Sequence, residues 1–145
     1  MATIEDVAKL AGLSRTTVSR VINNHPYVSE KKRVQVLTAM NELGYVPNSS
    51  ARSLRSQQTK MIGLLIPRVT NPFFSQLIEQ MEMAAADNGY QLIVCQTRYS
   101  AERELEYLNL LKTRQVDGMI LSSLQNEWKK IEPYLEYGPI VLCNE

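Results

Sequence analysis

The sequence predicts an all-α head with a helix-turn-helix and a hinge, followed by an α/β unit with a doubly wound parallel sheet. Residues 1–47 carry helix caps and Gly stops, whereas from Met61 short apolar runs alternate with helical stretches. Positions 1–60 hold nine Lys/Arg and four Asp/Glu, a net charge of +5, while positions 61–145 hold seven and eleven, a net of −4. The head therefore suits a polyanionic partner that the acidic remainder would repel.

The first helix is predicted over residues 4–11. Thr3 is its N-cap, Asp6 stands at the third helical position where it can return a hydrogen bond, and Gly12 ends it. Ser14 then caps a second helix that runs to about Asn24.

Ser29 caps a third predicted helix over residues 30–43, and Gly44 closes it at a left-handed position. Val36, Met40 and Leu43 recur at i, i+4 and i+7 on this helix. That spacing predicts a small core in which they face the apolar residues of the first two helices, namely Val7, Ala8, Val18, Val21 and Ile22.

A polar linker follows Pro47. The segment "NSSARSLRSQQTK" (residues 48–60) has Leu54 as its one large apolar residue. Residues 49–56 can become helical, but so short a helix without a core partner is marginal in water. We therefore predict three parts, residues 1–47, 48–60 and 61–145.

The second half reads as strands alternating with helices. The apolar runs are "MIGLLIP", "QLIVCQT", "VDGMILSS" and "PIVLCNE", and the helical stretches are residues 72–88, 101–115 and roughly 127–137. Asn71 with Pro72 forms a cap and first turn, Gly89 a stop, and Leu105, Leu108 and Leu111 one apolar face. This alternation predicts a parallel sheet, whose last strand at the terminus looks unfinished.

The second helix begins with a polar cluster, "SRTTVSR", that a core helix does not need. In a helix-turn-helix this end enters the DNA major groove. Arg15 and Arg20 can each bond guanine bidentately, and Thr16 can meet a thymine methyl or a base edge. Ser14, Thr17, Ser19 and Asn23 have the length to hold phosphates. The alternative is a solvated helix start in which Ser14 caps and the arginines are surface charge.

The motif "T-I-x-D-V-A-x-x-A-G-x-S-x-x-T-V-S-R-V-I-N", followed by "V-S", "G-Y-x-P-N" and "A-R-S-L", resembles the head of the LacI/GalR family of bacterial transcription regulators. The remainder resembles the start of that family's periplasmic-binding-protein-like core, so the resemblance covers the whole chain. It implies a sequence-specific regulator, a repressor of sugar or related metabolite genes. Such a regulator binds a palindromic operator in double-stranded DNA as a homodimer, under control of a small-molecule effector.

The resemblance also implies roles for individual residues. The family's recognition helix falls on residues 14–23, with Arg15 and Thr16 as the main determinants of the operator. Tyr27 and Ser29 match positions that touch the DNA backbone, and Thr3 is also assigned to the DNA-binding set. The family's hinge falls on residues 48–56, so Leu54 is expected to wedge into the minor groove with Asn48, Ala51 and Arg55 around it.

An effector site is expected at the carboxyl end of the sheet. "TNPFF" (residues 70–74) follows the first strand and opens a helix, where doubly wound sheets bind ligands. Phe73 and Phe74 resemble family positions that pack on the effector, and Asn71, Ser122 and Ser123 are expected at the same edge. The alternative is that one of the two Phe rings belongs to the core.

Composition indicates a cytoplasmic protein without a membrane partner, because the longest apolar run is too short to cross a bilayer and Glu5 and Asp6 do not suit a signal peptide. Cys95 and Cys143 lie in strand-like runs, so we expect buried free thiols rather than a disulfide. No metal and no cofactor is expected. Family members run about twice this length, so the chain is expected to be either a fragment or a truncated product with weak, unregulated DNA binding.

Two other classes of protein fit the sequence less well. An α/β enzyme is disfavoured because the single histidine, His25, lies in a turn beside Pro26 and no Gly-rich phosphate loop follows the first strand. A pure ligand-binding module is disfavoured by the basic head and the expected lack of a signal peptide.

Overall fold

The computed structural model describes residues 1–143, which form two compact units. The first is Met1–Ser56 and the second begins at Gln57. The predicted division at residues 47 and 60 stays a prediction about functional segments.

The first unit consists of four helices: α1 (Ile4–Ala11), α2 (Arg15–Ile22), α3 (Glu30–Leu43) and α4 (Ser49–Ser56). The predicted N-caps are present, because the side chains of Thr3, Ser14 and Ser29 each accept a backbone N–H of the following turn. Gly12 and Gly44 have left-handed φ values of 68° and 62°, which glycine adopts without the strain that a Cβ would cause. The core is formed by the buried residues Val7, Ala8, Val18, Val21, Val36 and Ala39.

Two expectations for this unit were wrong in detail. Helix α2 ends at Ile22, and Asn23 is its C-cap rather than an interior residue. Leu43 was expected in the core, but it is exposed and Ala39 is buried instead. Leu43 is the last residue before the Gly44 turn, so its side chain lies at the end of the helix where cover from the other helices is incomplete.

The second unit is a four-stranded sheet flanked by helices. Its elements are β1 (Met61–Ile66), α5 (Pro72–Asp87), β2 (Gln91–Gln96), α6 (Ala101–Lys112), β3 (Gly118–Leu121), α7 (Trp128–Ile131), a 3₁₀ helix (Glu132–Glu136) and β4 (Ile140–Leu142). All pairings are parallel in the order β2-β1-β3-β4, which confirms the predicted sheet. The last two residues of the predicted strand "PIVLCNE", Asn144 and Glu145, lie outside the described residues.

Helices pack on both faces of this sheet. Leu64 and Ile66 of β1 pack with Phe74 of α5 in one cluster. Leu65 lies in the other cluster with Leu108 and Leu111 of α6, together with Cys95, Val116, Met119, Leu121 and Ile131. A central strand buried on both faces explains why the β1 run is almost wholly apolar.

Three further expectations need correction. The stretch at residues 127–137 is not one helix but α7 followed by the 3₁₀ helix, with Pro133 in the first turn of the latter, since proline lacks the N–H that a continuing α-helix would bond. Helix α6 ends at Lys112 instead of Gln115. Both cysteines are free, but Cys143 is only half-buried, unlike Cys95.

Among residues 1–143, no helix is both long and apolar enough to cross a membrane. The same described residues contain no group of three or more His, Cys, Asp or Glu side chains arranged to hold a metal ion.

Candidate nucleic-acid interface

A short turn joins helix α1 to helix α2, and side-chain caps fix the start of each helix. Thr3 Oγ1 accepts the Asp6 N–H at 3.3 Å, and the Asp6 carboxylate accepts the Thr3 N–H at 2.8 Å, so both partners of the capping box are satisfied. The hydrogen bonds from the Thr3 backbone and side chain lower the pKa of Asp6. After Gly12, Ser14 Oγ accepts the Thr17 N–H at 3.2 Å and starts α2.

The polar face of α2 points to solvent because its apolar face is buried. Val18 and Val21 are 0% and 3% exposed, whereas Arg15, Thr16, Arg20 and Asn23 are all exposed. Thr17 and Ser19 are half-buried. The two buried valines thus orient α2 so that Arg15, Thr16 and Arg20, the residues predicted to read bases, are exposed to solvent.

Several of these side chains already have partners. Ser14 Oγ lies 2.9 Å from Thr17 Oγ1, and Asn23 Nδ2 donates to Ser19 Oγ at 3.4 Å. Arg15 Nη1 lies 3.6 Å from Glu5 Oε1, with both side chains about two-thirds exposed. An exposed ion pair of this kind contributes little to stability, so Arg15 can exchange it for a base edge at low cost.

The loop between α2 and α3 carries the two predicted backbone contacts. Tyr27 is 89% exposed, and its ring centroid lies 5.6 Å from that of His25. Ser29 caps α3, and its Oγ accepts the Lys32 N–H at 3.4 Å. Tyr27 is thus an unburied aromatic ring whose hydroxyl is available to a phosphate.

Helix α4 covers the predicted hinge. Asn48 Oδ1 accepts the Ser50 N–H at 2.9 Å and begins the helix, and Arg55 Nη1 donates to Ser19 Oγ at 2.9 Å. Ala51 is exposed and Leu54 is 82% exposed. The helix therefore presents one large apolar side chain to solvent from a polar surface, which intramolecular packing does not explain.

The predicted effector residues lie at the carboxyl end of the sheet, but they are not equally accessible. Asn71 Oδ1 caps α5 by accepting the Phe73 N–H at 3.0 Å. Phe73 is 55% exposed and Phe74 is 0% exposed, with ring centroids 5.2 Å apart in an edge-on arrangement. Phe74 belongs to the core beneath the site and has no surface to offer a ligand, so its assignment as an effector contact was wrong; only Phe73 is available.

Ser122 and Ser123 differ in the same way. Ser122 is 1% exposed, and its hydroxyl donates to the Leu65 carbonyl at 2.8 Å, which joins β3 to β1. Because Ser122 has almost no exposed surface, its expected role in the effector site is corrected to a structural one. Ser123 is half-buried, and its Oγ accepts from Gln125 Nε2 at 3.5 Å.

Two carboxylates with defined roles escaped the sequence analysis. Glu104 is fully buried in α6 and accepts the N–H groups of Gln125 and Asn126 at 2.8 and 3.1 Å, which anchors the loop that carries Ser123. Its signal was its spacing, because Glu104 precedes Leu108 and Leu111 by four and seven residues. Asp117 accepts three donors from Thr59 and Lys60, and no local pattern marks it.

The fold and the site together define a helix-turn-helix protein with a periplasmic-binding-protein-like α/β unit. Residues 3–48 match the model of bacterial regulatory proteins of the lacI family, and residues 59–145 match that of periplasmic binding proteins and the sugar binding domain of the LacI family. The chain belongs to the LacI family of bacterial regulatory proteins.

Named relatives agree. The chain is 52% identical over 145 residues to the NTD biosynthesis operon regulator NtdR of Bacillus subtilis (strain 168), covering 100% of this chain and 44% of that protein. It is 48% identical over 123 residues to the sucrose operon repressor of Streptococcus mutans, covering 85% and 38%. The crystal structure of the lac repressor dimer bound to operator and the anti-inducer ONPF superposes with a TM-score of 0.80 at 29% identity, covering 97% and 44%.

The chain spans less than half the length of these relatives. Their names describe regulators and repressors of operons, not enzymes.

Proposed function

We propose that this chain is the DNA-binding part of a transcription regulator that represses genes for a sugar or a related metabolite. The observation that carries the proposal is the solvent-facing polar surface of α2, which the buried residues Val18 and Val21 orient. Arg15, Thr16 and Arg20 would enter the major groove as base-reading side chains, since guanidinium groups pair with guanine and a Thr methyl with thymine.

Phosphate contacts would surround this reading surface. The proposed partners of the DNA backbone are polar side chains of α2 and of the loop that follows it, namely Ser14, Thr17, Ser19, Asn23, Tyr27 and Ser29, together with Thr3 at the start of α1. Such contacts position the head without reading sequence. The net +5 of residues 1–60 supports this assignment.

The hinge helix would act in the minor groove. Leu54 is the proposed wedge between base pairs, with Asn48, Ala51 and Arg55 beside it. Unstacking costs a few kcal/mol, which a bent site that contacts more protein can offset. Two copies on a palindrome would supply two such helices, and the structure of the lac repressor dimer on its operator supports a homodimer.

We also propose control by a small-molecule effector. Phe73, Asn71 and Ser123 would line one side of a crevice for a sugar or related metabolite, because an aromatic face suits the apolar face of a sugar ring and a hydroxyl its rim. We also propose that the protein catalyses no reaction and acts in the cytoplasm, where its DNA partner lies.

The first test is selection of bound sequences from random DNA duplexes. We expect a palindromic site, and an affinity for it that falls steeply as salt rises. On that site Arg15→Ala should cost about 1–3 kcal/mol at one base position, as a lost bidentate contact does. Arg103→Ala, the same charge change in the α/β unit, is the matched control and should leave affinity unchanged.

Two outcomes contradict the proposal. Failure to enrich any duplex would exclude sequence-specific DNA binding, and the ligand-binding module would replace it. A loss in Arg15→Ala that is equal for every base at every position would make Arg15 a phosphate contact and remove the base-reading role.

A further inference from the structure

Asp117 joins the segment that follows the hinge helix to the sheet. Its Oδ1 accepts the N–H and the hydroxyl of Thr59 at 2.7 and 2.8 Å, and its Oδ2 accepts the Lys60 N–H at 3.0 Å. The Asp117 N–H itself donates to the Met61 carbonyl at 2.8 Å. One carboxylate at the start of β3 thus holds both residues that precede β1.

Other contacts complete this junction. The Lys60 carbonyl accepts the Gln91 N–H at 2.8 Å, and Lys60 Nζ lies 4.7 Å above the Tyr90 ring. Lys60 has a φ of 60°, a left-handed conformation that a non-Gly residue keeps only where the surrounding structure holds it. Residues 59–60 are therefore held against the sheet, although their composition is typical of a linker.

We propose that Asp117 is a positioning residue for DNA binding, because it fixes the point at which the segment after α4 leaves the α/β unit. The inference rests on the proposed function, since this segment carries the DNA-binding head. Gln57 and Gln58 are the two residues between α4 and the clamped pair. Loss of the clamp would release Thr59 from the sheet, while the Lys60 carbonyl would keep its bond to the Gln91 N–H, so the connection to the head would become looser.

The stiffness of this connection matters when two heads bind one operator. The half-sites of a palindrome lie at a set spacing, and binding of the second head depends on the effective concentration that the connection allows. A looser connection lowers that effective concentration. The clamp should therefore matter on a palindrome but not on a single half-site.

The test compares Asp117→Ala and Asp117→Asn with the purified chain. Asp87→Ala, which removes an exposed carboxylate at the end of α5, is the matched control. Trypsin should cut after Lys60 about tenfold faster in Asp117→Ala, because the segment around Lys60 would detach from the sheet more often. Tenfold corresponds to about 1.4 kcal/mol. Asp117→Asn should lie between, because its amide oxygen still accepts the Thr59 donors whereas its NH₂ faces the Lys60 N–H.

DNA affinity is then measured on a palindromic duplex and on a half-site duplex, at a temperature at which circular dichroism shows each variant folded. We expect Asp117→Ala to lose about tenfold in affinity on the palindrome, equivalent to about 1.4 kcal/mol, and nothing on the half-site. A merely structural role would lower the unfolding midpoint and leave the ratio of the two affinities unchanged.

The outcomes separate the two ideas. Unchanged cleavage after Lys60 in both Asp117 variants would overturn the clamp, and faster cleavage with equal losses on both duplexes would overturn the positioning role. If the unsubstituted chain binds no DNA, the proposed function fails and the positioning role with it, while the trypsin result still decides whether the clamp exists.

Discussion

The guanidinium of Arg55 donates a hydrogen bond to the Ser19 hydroxyl over 2.9 Å, which connects helix α4 to helix α2 across 36 positions of sequence. Helix α4 has only eight residues, and helices of that length are marginal in water without tertiary contacts. The bond therefore helps to order the hinge helix against the helix that we propose to read DNA.

Arg55→Ala should loosen α4. A single hydrogen bond contributes about 0.5–1.5 kcal/mol, so amide exchange in α4 should accelerate about two- to tenfold. Nuclear magnetic resonance exchange rates for residues 52–56 measure this. Arg52→Ala removes the same charge from the same helix and serves as control; equal acceleration in both variants would show that the Ser19 contact does not order α4.

Leu54→Ala should separate stability from DNA binding. Leu54 is 82% exposed, so its truncation should change the free energy of unfolding by less than about 0.5 kcal/mol. Affinity for the selected palindrome should fall about ten- to a hundredfold for each protomer, because a leucine buried between bases contributes about 1.5–3 kcal/mol.

The control for Leu54 is Val34→Ala on α3, an apolar residue that is 53% exposed. It should change neither stability nor affinity. Should Leu54→Ala bind the palindrome as tightly as the unsubstituted chain, the wedge role would be wrong.

Glu104→Ala should destabilise the α/β unit. The N–H groups of Gln125 and Asn126 would lose their acceptor, and an unsatisfied buried donor costs about 1–3 kcal/mol. Urea unfolding should show a loss of about 3 kcal/mol, and Glu104→Gln a smaller one because it keeps one acceptor. Glu106→Ala, on the exposed face of α6, should change little; equal losses in both would contradict the anchoring role.

Acid should weaken the clamp at Asp117. Partial burial by itself would raise the pKa of Asp117, but the hydrogen bonds from Thr59 and Lys60 outweigh it and lower the pKa below its usual value. A carboxyl whose folded pKa is lowered contributes stability above its unfolded pKa of about 3.9 and loses that contribution as pH falls toward the folded value.

Unfolding midpoints measured by circular dichroism from about pH 6 to pH 3 test this. The unsubstituted chain should lose stability below about pH 4, and Asp117→Asn should lose less over the same interval because it cannot be protonated there. Parallel curves for the two proteins would show that the Asp117 interaction does not depend on its charge.

The two cysteines should differ in reactivity. Burial raises the pKa of the Cys95 thiol, and the thiolate is the reactive form. Cys143 is half-buried. A thiol reagent should therefore modify Cys143 first in the folded chain and both at similar rates in urea. Faster modification of Cys95 would mean that β2 opens readily.

Features with a local cause could be predicted from the sequence. Thr3, Ser14 and Ser29 cap helices because a hydroxyl can reach an N–H in the next turn, and Gly12 and Gly44 end helices because glycine tolerates a positive φ. The apolar run of β1 predicted a strand of a parallel sheet, and in the structure that strand lies between β2 and β3.

The tertiary structure decided which of several similar residues faces inward. Phe73 and Phe74 are neighbours of one type, yet only the second packs against Leu64 and Ile66. Leu43 has core spacing, but it lies at a helix end that its neighbours cover incompletely. Periodicity assigns a face to a residue but not the extent of the cover that a distant element provides.

The sequence by itself determined the helix caps, the alternation of strands and helices, the polar start of α2 and Leu54 as the one large apolar residue of the linker, because each depends on residue type and short-range spacing. Only the tertiary structure showed that Asp117 holds Thr59 across 58 positions and that Glu104 holds Asn126 across 22. The role of such a carboxylate depends on hydrogen-bond donors that are distant in the sequence. These donors come within reach only when the strands pair and the helices pack.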